Sequence, residues 1–295
     1  MTALGIIGTG AVGQTLATAV TSAGLGQQLL VTSRTGQQAQ ALADDLSDLA
    51  RSTGSPTSVT AGALTDLLDC DALVICVRAS FTNTASTDVR MGGAAANVPL
   101  IRHLATTLRG YRGTVVMVTN PVDLLTRAFA EFSGCPRVYG VGSNLDTARY
   151  HLTLARLLDV PPDAVNGHVI GEHGDSAVVC ASSTTVNGAP VKVPLEEVRR
   201  ELRSRPGRIS AGIGRTRSGP TGAVLHTLRL ALGHLDGATE LATEHDGGWY
   251  GIPLRFTAGQ PVPCLPPLDH TEARLLEAAA TKLQSAYRQL PEGTT

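Results

Sequence analysis

The chain has 295 residues, 24 basic and 25 acidic side chains, and a formal charge of −1. That length suits one large or two modest domains with real cores. The near-balanced charge points away from nucleic acid and from membrane surfaces as partners. Cys70, Cys76, Cys135, Cys180 and Cys264 form no CxxC and no ligand-like cluster, so buried free thiols and no bound metal are expected. Met1 leads almost at once into a strand-like run, and no apolar stretch approaches the roughly 18 residues of a membrane span. A soluble, cytoplasmic protein is the expectation.

Residues 3–13 read ALGIIGTGAVG. An apolar run reaches Gly8, and Gly8, Gly10 and Gly13 complete GxGxxG before a stretch of helical composition to Ala23. Strand, glycine loop and helix form the context in which this pattern binds a dinucleotide. The glycines permit a tight turn and close backbone approach to a pyrophosphate, and the helix N-terminus faces its charge. Gly8, Gly10, Ala11, Val12 and Gly13 are therefore the candidate phosphate cradle.

A second strand is predicted at Gln28–Thr32. NAD-binding chains usually place an acid at its end, about 20 residues past the glycines, to hold the adenosine ribose. Here Ser33, Arg34 and Thr35 follow, with no acid. A small hydroxyl beside a guanidinium suits a 2′-phosphate, which a carboxylate would repel. NADP(H) is favoured over NAD(H), although Ser33–Thr35 could also simply cap the next helix, expected over residues 37–50. A short strand at Val59–Thr60, a helical segment at Leu64–Leu68 and a buried strand within 71–77 follow. This alternation predicts an α/β fold with a doubly wound parallel sheet.

Residues 78–93, RASFTNTASTDVRMGG, are long and polar and end in two glycines. Such a loop in a compact domain suits an active-site lid, and Arg90 could arrive on it as a cation. A helix over 97–108 and a strand over 113–118 come next. Asn120 then sits at the carboxyl end of that strand, where ligands bind in open α/β sheets. A helix to Phe132 and a strand at Val138–Val141 complete the first half.

Asp146 and Arg149 are three apart and share a helix face. They could form a plain ion pair. Alternatively, Asp146 orients His173 and Arg149 clamps a substrate carboxylate. His173 lies in VIGEHGDSAV, where a strand breaks, presents an imidazole and resumes. An Asp partner would raise the imidazole pKa and suit a general acid near neutral pH.

Four motifs together, GTGAVG (8–13), TNPVD (119–123), NLDTAR (144–149) and GEHGDS (171–176), resemble the L-lactate/malate dehydrogenase family in order and spacing. The resemblance covers essentially the whole chain. It implies an N-terminal Rossmann domain over 1–143 and a C-terminal α+β substrate domain over 144–295. It implies His173 as acid/base, Asp146 as its partner and Arg149 as the carboxylate anchor. By the same resemblance Asn120 lies near the nicotinamide, Arg90 polarises the substrate carbonyl, and Thr221 lines the substrate pocket. The activity implied is hydride transfer between a nicotinamide cofactor and a small 2-oxo or 2-hydroxy acid. Relatives are homodimers or homotetramers, so a homo-oligomer is expected.

Three departures stand out. Ser33 replaces the usual acid. Arg78 stands about where the family has a glycine near the cofactor. The residue that selects substrate, six before the loop arginine, counts back to Thr84, with the aligned position anywhere from Phe81 to Thr87. No arginine occurs there, so an uncharged substrate side chain is expected rather than malate's second carboxylate. The alternatives are an NAD-dependent lactate or malate dehydrogenase, a metal-dependent glycosidase of the same superfold, and a non-catalytic nucleotide-binding regulator.

In the second half, strands are expected at 168–170 and 178–185 and a hairpin at 186–190. Helices are expected at 194–202 and 221–235, with a basic, Gly-rich connection over 203–219. Pro253 demotes the strand near 251–256, and a last helix is expected from about Asp269 to Leu290.

Overall fold

A computed structural model describes residues 2–82 and 88–290. Its first half alternates strand and helix: β1 (Ala3–Ile7), α1 (Ala11–Ala23), β2 (Gln28–Thr32), α2 (Gly36–Thr53), β3 (Ser58–Ala61) and β4 (Ala72–Ile75). After the 78–93 segment come α3 (Ala94–Thr107), β5 (Thr114–Met117), α4 (Val122–Ser133) and β6 (Val138–Val141). The second half holds α5 (Ser143–Leu158), β7 (Val165–Asn166), β8 (Val169–Gly171), β9 (Ala177–Val179), β10 (Thr185–Val186) and β11 (Ala189–Pro190). It closes with α6 (Leu195–Ile213), α7 (Ser218–Ala231), β12 (Gly237–His245), β13 (Gly248–Thr257), β14 (Gln260–Pro263) and α8 (His270–Arg288).

The first six strands are parallel, in the order β3-β2-β1-β4-β5-β6. This is the doubly wound order that turns back between β1 and β4. Every residue of β4 and β5 is buried, as strands covered on both faces must be. Each fully buried aliphatic side chain in them contributes roughly 1.5–3 kcal/mol. The reversal opens a crevice above the carboxyl ends of β1 and β4, where the glycine loop and the Arg78 segment begin.

The second half extends this sheet rather than only packing on it. β12 pairs antiparallel with β6, and β13, β8 and β9 follow. No sequence pattern announces β12, whose nine-residue run GATELATEH mixes charged and apolar positions. Pro253 does not demote its strand: β13 runs through it, flanked by β12 on one side and β8 and β14 on the other. Proline loses one donor, but its carbonyl still accepts the Cys264 N–H at 2.9 Å. The strand expected over 178–185 is two, β9 and β10, in different sheets.

α6 also overrides an expectation. It continues through Pro206 and Gly207 to Ile213, where a Gly-rich connection was the prediction. Glu201 bridges the proline turn by pairing with Arg208 at 2.6 Å and Arg205 at 3.6 Å. α8 lies against β8, β9, β13 and α4, which carries its side chains to the end of the sheet where His173 sits. Among the described residues no helix is long and apolar enough to cross a membrane.

Candidate active site

Each fingerprint glycine has its own steric reason. Gly8 adopts φ +112, and a Cβ there would lie 3.0 Å from the Cys76 backbone. A Cβ on Gly13 would sit 1.8 Å from the Gly8 carbonyl oxygen, so only glycine lets α1 start this close to the loop. A Cβ on Gly10 would meet nothing within 4 Å among the described residues. α1 begins at Ala11 without a side-chain cap, so its first N–H groups face open space. These residues fit a dinucleotide pyrophosphate: a narrow glycine turn, an uncapped helix start and room at its mouth.

Ser33 follows β2 and faces this loop. Its Oγ lies 2.7 Å from Thr9 Oγ1 and donates to Gln38 Oε1 at 3.1 Å. Thr35 caps α2 by accepting the Gln38 N–H at 3.3 Å. Arg34 is exposed and, among the described residues, makes no hydrogen bond or ion pair. The helix-capping reading of Thr35 therefore holds, and Arg34 is left with its full donor set.

The Asp146 carboxylate serves two partners. One oxygen accepts from His173 Nδ1 at 2.6 Å and the other from Arg149 Nη1 at 3.2 Å. The ion pair and the Asp–His pair are thus both present, and all three residues are buried. Asp146 sits in the first turn of α5, one turn before Arg149, and β8 delivers His173 opposite it. Nδ1 is committed to Asp146, which leaves Nε2 without a protein partner among the described residues.

The electrostatics correct one expectation. Burial pulls the His173 pKa below its usual value. Asp146 pulls it up, but the Arg90 and Arg149 charges push it down again, and the net shift is downward. Burial also penalises the Asp146 carboxylate, but His173, Arg90 and Arg149 outweigh it and hold Asp146 below the usual carboxylate range. Pairing with an acid alone does not decide an imidazole that is buried beside two guanidiniums.

Arg90 follows Asp88 on the far side of residues 83–87, and its charge reaches His173, Asp146 and Arg149. Thr84 lies outside the described residues. Phe81 packs its ring tip against Gly93, where a Cβ would meet it at 2.8 Å, and Arg78 stacks over the same ring at 4.4 Å. That contact supplies a physical account of Arg78. Asn120 is exposed at the carboxyl end of β5, and its carbonyl accepts from Asn97 at 2.9 Å. Thr221 is buried near the start of α7, and its hydroxyl has no partner among the described residues.

Other groups at the site carry no sequence signal of their own. Asp123 Oδ2 accepts the His173 backbone N–H at 2.9 Å. Burial pushes the Asp123 carboxyl up to about 7; the His173 N–H opposes this, and the Glu172 and Asp146 charges add to it. Gly142 presses on the imidazole, since a Cβ there would lie 2.4 Å from His173 Cγ. Asn97, buried, also receives the Ala79 N–H at 2.8 Å and so ties the end of β4 to the end of β5. Glu172 is buried against Lys282 of α8. Asp123 and Glu172 were visible only as members of TNPVD and GEHGDS; the others needed the fold.

Known proteins place this arrangement. The lactate/malate dehydrogenase NAD binding domain matches residues 2–142, and the lactate/malate dehydrogenase alpha/beta C-terminal domain matches residues 143–203. An L-lactate dehydrogenase of Geobacillus thermodenitrificans is 31% identical over 212 residues, covering 70% of this chain and 66% of its own. L-lactate dehydrogenase 3 of Bacillus cereus is 34% identical over 196 residues, covering 66% of this chain and 62% of its own. The chain therefore spans just under two thirds of these relatives' length. Two solved structures share the fold at 22% identity. They are the minor L-lactate dehydrogenase of Enterococcus mundtii (TM-score 0.90, 99% of each chain) and the malate dehydrogenase of Plasmodium falciparum (TM-score 0.89, 98% of each). With a glycine cradle at the sheet reversal, an Asp–His–Arg cluster across the crevice and both domain families matched in order, the chain belongs to the lactate/malate dehydrogenase family.

Proposed function

We propose that this protein is a 2-hydroxy-acid dehydrogenase that uses NADP(H) and acts on a small 2-oxo or 2-hydroxy acid with an uncharged side chain. The observation that carries the proposal is the Asp146 carboxylate, shared between His173 and Arg149. In this reading residues 1–143 hold the cofactor and residues 144–295 supply the acid–base pair.

The residues that would hold the cofactor are Gly8, Gly10, Ala11, Val12 and Gly13 at the pyrophosphate and Ser33, Arg34 and Thr35 at the adenosine end. When bound, the nicotinamide supplies the hydride. Arg149 anchors the substrate carboxylate by a two-point contact and so fixes the neighbouring ketone. His173 Nε2, protonated, gives its proton to the carbonyl oxygen as the alcohol forms. Asp146 keeps Nδ1 protonated and the ring oriented. Arg90 stabilises the negative charge that develops on the oxygen, and its effect grows as water leaves the site. Asn120 and Thr221 border the reacting groups. In oxidation neutral His173 takes the proton back.

The absence of an acid after β2 supports NADP(H), and so does the exposed Arg34 with its full donor set. The second reading, an NAD-linked lactate or malate dehydrogenase, draws on the NAD binding domain that the first half matches. A panel of 2-oxo acids run with NADPH and with NADH decides between them. The first reading expects higher kcat/KM with NADPH and with an uncharged acid. Preference for NADH at equal concentration rejects the cofactor assignment, and preference for oxaloacetate rejects the substrate assignment. His173→Asn is expected to cut turnover roughly 10²- to 10⁴-fold with cofactor affinity retained. Surviving turnover would falsify the proton role.

A further inference from the structure

The chain has only two lysines, and one of them, Lys282, reaches the site from α8. Its Nζ donates to Asp88 Oδ1 at 2.6 Å, to Glu172 Oε2 and Oε1 at 2.8 and 3.1 Å, and to Ser176 Oγ at 3.3 Å. Asp88 lies two residues before Arg90, and Glu172 immediately precedes His173. One ammonium thus joins the segment that carries the site's cation to the loop that carries its acid–base group.

The surroundings make this junction depend on Lys282. Glu172 is only 2% exposed, and Lys282 is its ion-pair partner. Asp175 adds a third carboxylate by accepting the Asp88 backbone N–H at 3.1 Å. Asp88, Glu172 and Asp175 would repel one another without a cation between them. Asp88 also holds φ +46, a left-handed conformation that a non-glycine residue adopts at a cost. Its carbonyl accepts the Met91 N–H at 2.8 Å and so starts the turn that bears Arg90. The bonds around Asp88 fix where that turn begins, and Lys282 ties it to the rigid sheet.

We propose that Lys282 is a positioning residue that latches the Arg90 turn to the His173 loop and so sets how strongly the Arg90 charge acts at the catalytic imidazole. The proposal rests on the reading of His173 as the acid–base group. Lys282 touches neither substrate nor cofactor; it acts through Asp88 and Glu172. Among the described residues, the charges that act on the His173 ring are Asp146 and Arg149 from α5 and Arg90; Asp123 from α4 holds its backbone N–H, and Glu172 next to it pairs with Lys282.

Two variants test the latch, each read by kcat, KM and the NMR titration of the His173 ring. Lys282→Met is expected to lower kcat for 2-oxo-acid reduction roughly 10- to 100-fold with cofactor affinity unchanged, because small misplacements at a reacting centre cost that much. Lys282→Arg is expected to recover most of it. Asp88→Gly is the sharper variant, because glycine takes the φ of +46 without cost and leaves Lys282 no acceptor at 88. Removing a nearby negative charge would by itself lower the His173 pKa, whereas releasing Arg90 raises it. The latch predicts that the midpoint rises in both Asp88→Gly and Lys282→Met. A midpoint that falls in Asp88→Gly, or turnover of Lys282→Met within about twofold of wild type, overturns the proposal. If the wild-type protein reduces no 2-oxo acid, the dehydrogenase reading fails, while the ring titration still decides the latch.

Discussion

Asp123 and His173 are joined by a bond that has nothing to do with the imidazole. The Asp123 carboxylate, on α4, accepts the backbone N–H of His173 at 2.9 Å across a separation of 50 residues. Its other oxygen is buried without a partner among the described residues. The catalytic candidate is thus held twice, by Asp146 at the ring and by Asp123 at the main chain.

This arrangement makes stability depend on pH. Burial disfavours the Asp123 charge and pushes its carboxyl up to about 7 in the folded protein from the ordinary 3.8. The folded state therefore holds a proton that the unfolded state has already lost. Its contribution is complete below about pH 4 and disappears as pH rises toward 7, a change of roughly 4 kcal/mol at most. Asn at 123 accepts the same N–H and cannot ionise. Thermal melts of Asp123→Asn should lose this component of the fall in stability between pH 4 and 8. An unaltered slope would show that Asp123 does not hold the proton.

The proton on His173 should govern activity in a direction set by its neighbours. Burial, Arg90 and Arg149 together bring its pKa below the usual histidine value despite Asp146. Reduction requires the protonated ring, so kcat/KM for reduction should decline as pH rises through a midpoint below about 6.5. Oxidation should rise through the same midpoint. Profiles of both directions on one substrate pair check this, and a reduction limb centred well above 6.5 contradicts it.

Gly142 should tolerate no side chain. Its φ of −170° lies outside the left-handed region, and contact with the imidazole is the obstacle. A Cβ would lie 2.4 Å from His173 Cγ, and the ring would have to move. Gly142→Ala should cost about 1–3 kcal/mol of stability. It should also cut turnover roughly 10²-fold while cofactor binding persists. Normal turnover in a folded Gly142→Ala protein would show that the ring has room to shift.

Cofactor choice should respond to residue 33. Ser33 sits 2.7 Å from Thr9 of the glycine loop, so a carboxylate there would face the adenosine ribose. Ser33→Asp should lower kcat/KM with NADPH relative to NADH by roughly 10- to 100-fold, the range for losing a hydrogen bond to a charged group and adding repulsion. The ratio of the two kcat/KM values is the measurement. An unmoved ratio would mean that the phosphate, if bound, is held elsewhere.

The doubly wound half of the fold was legible because its signals are local. Apolar runs marked β1, β2, β4, β5 and β6, and GxGxxG named both the loop and the helix after it. The spacing of Asp146 and Arg149 placed them on one face of α5, and motif order brought in His173. Periodicity misjudged α6 at Pro206 and β13 at Pro253, where helix-spanning ion pairs and cross-strand partners outweigh a missing donor.

What the sequence determined by itself, then, is the family, and it nominated the glycine turn and the Asp–His–Arg cluster, since each rests on contiguous motifs. The tertiary structure alone decided the company that cluster keeps. Asp123 reaches His173 from α4, Lys282 reaches Glu172 from α8, and Gly142 stands against the ring because the antiparallel extension folds β8 back beside the start of α5. It also decided the direction of the His173 pKa. Burial and the summed charge of neighbours distant in sequence depend on three-dimensional distance, which no local spacing contains.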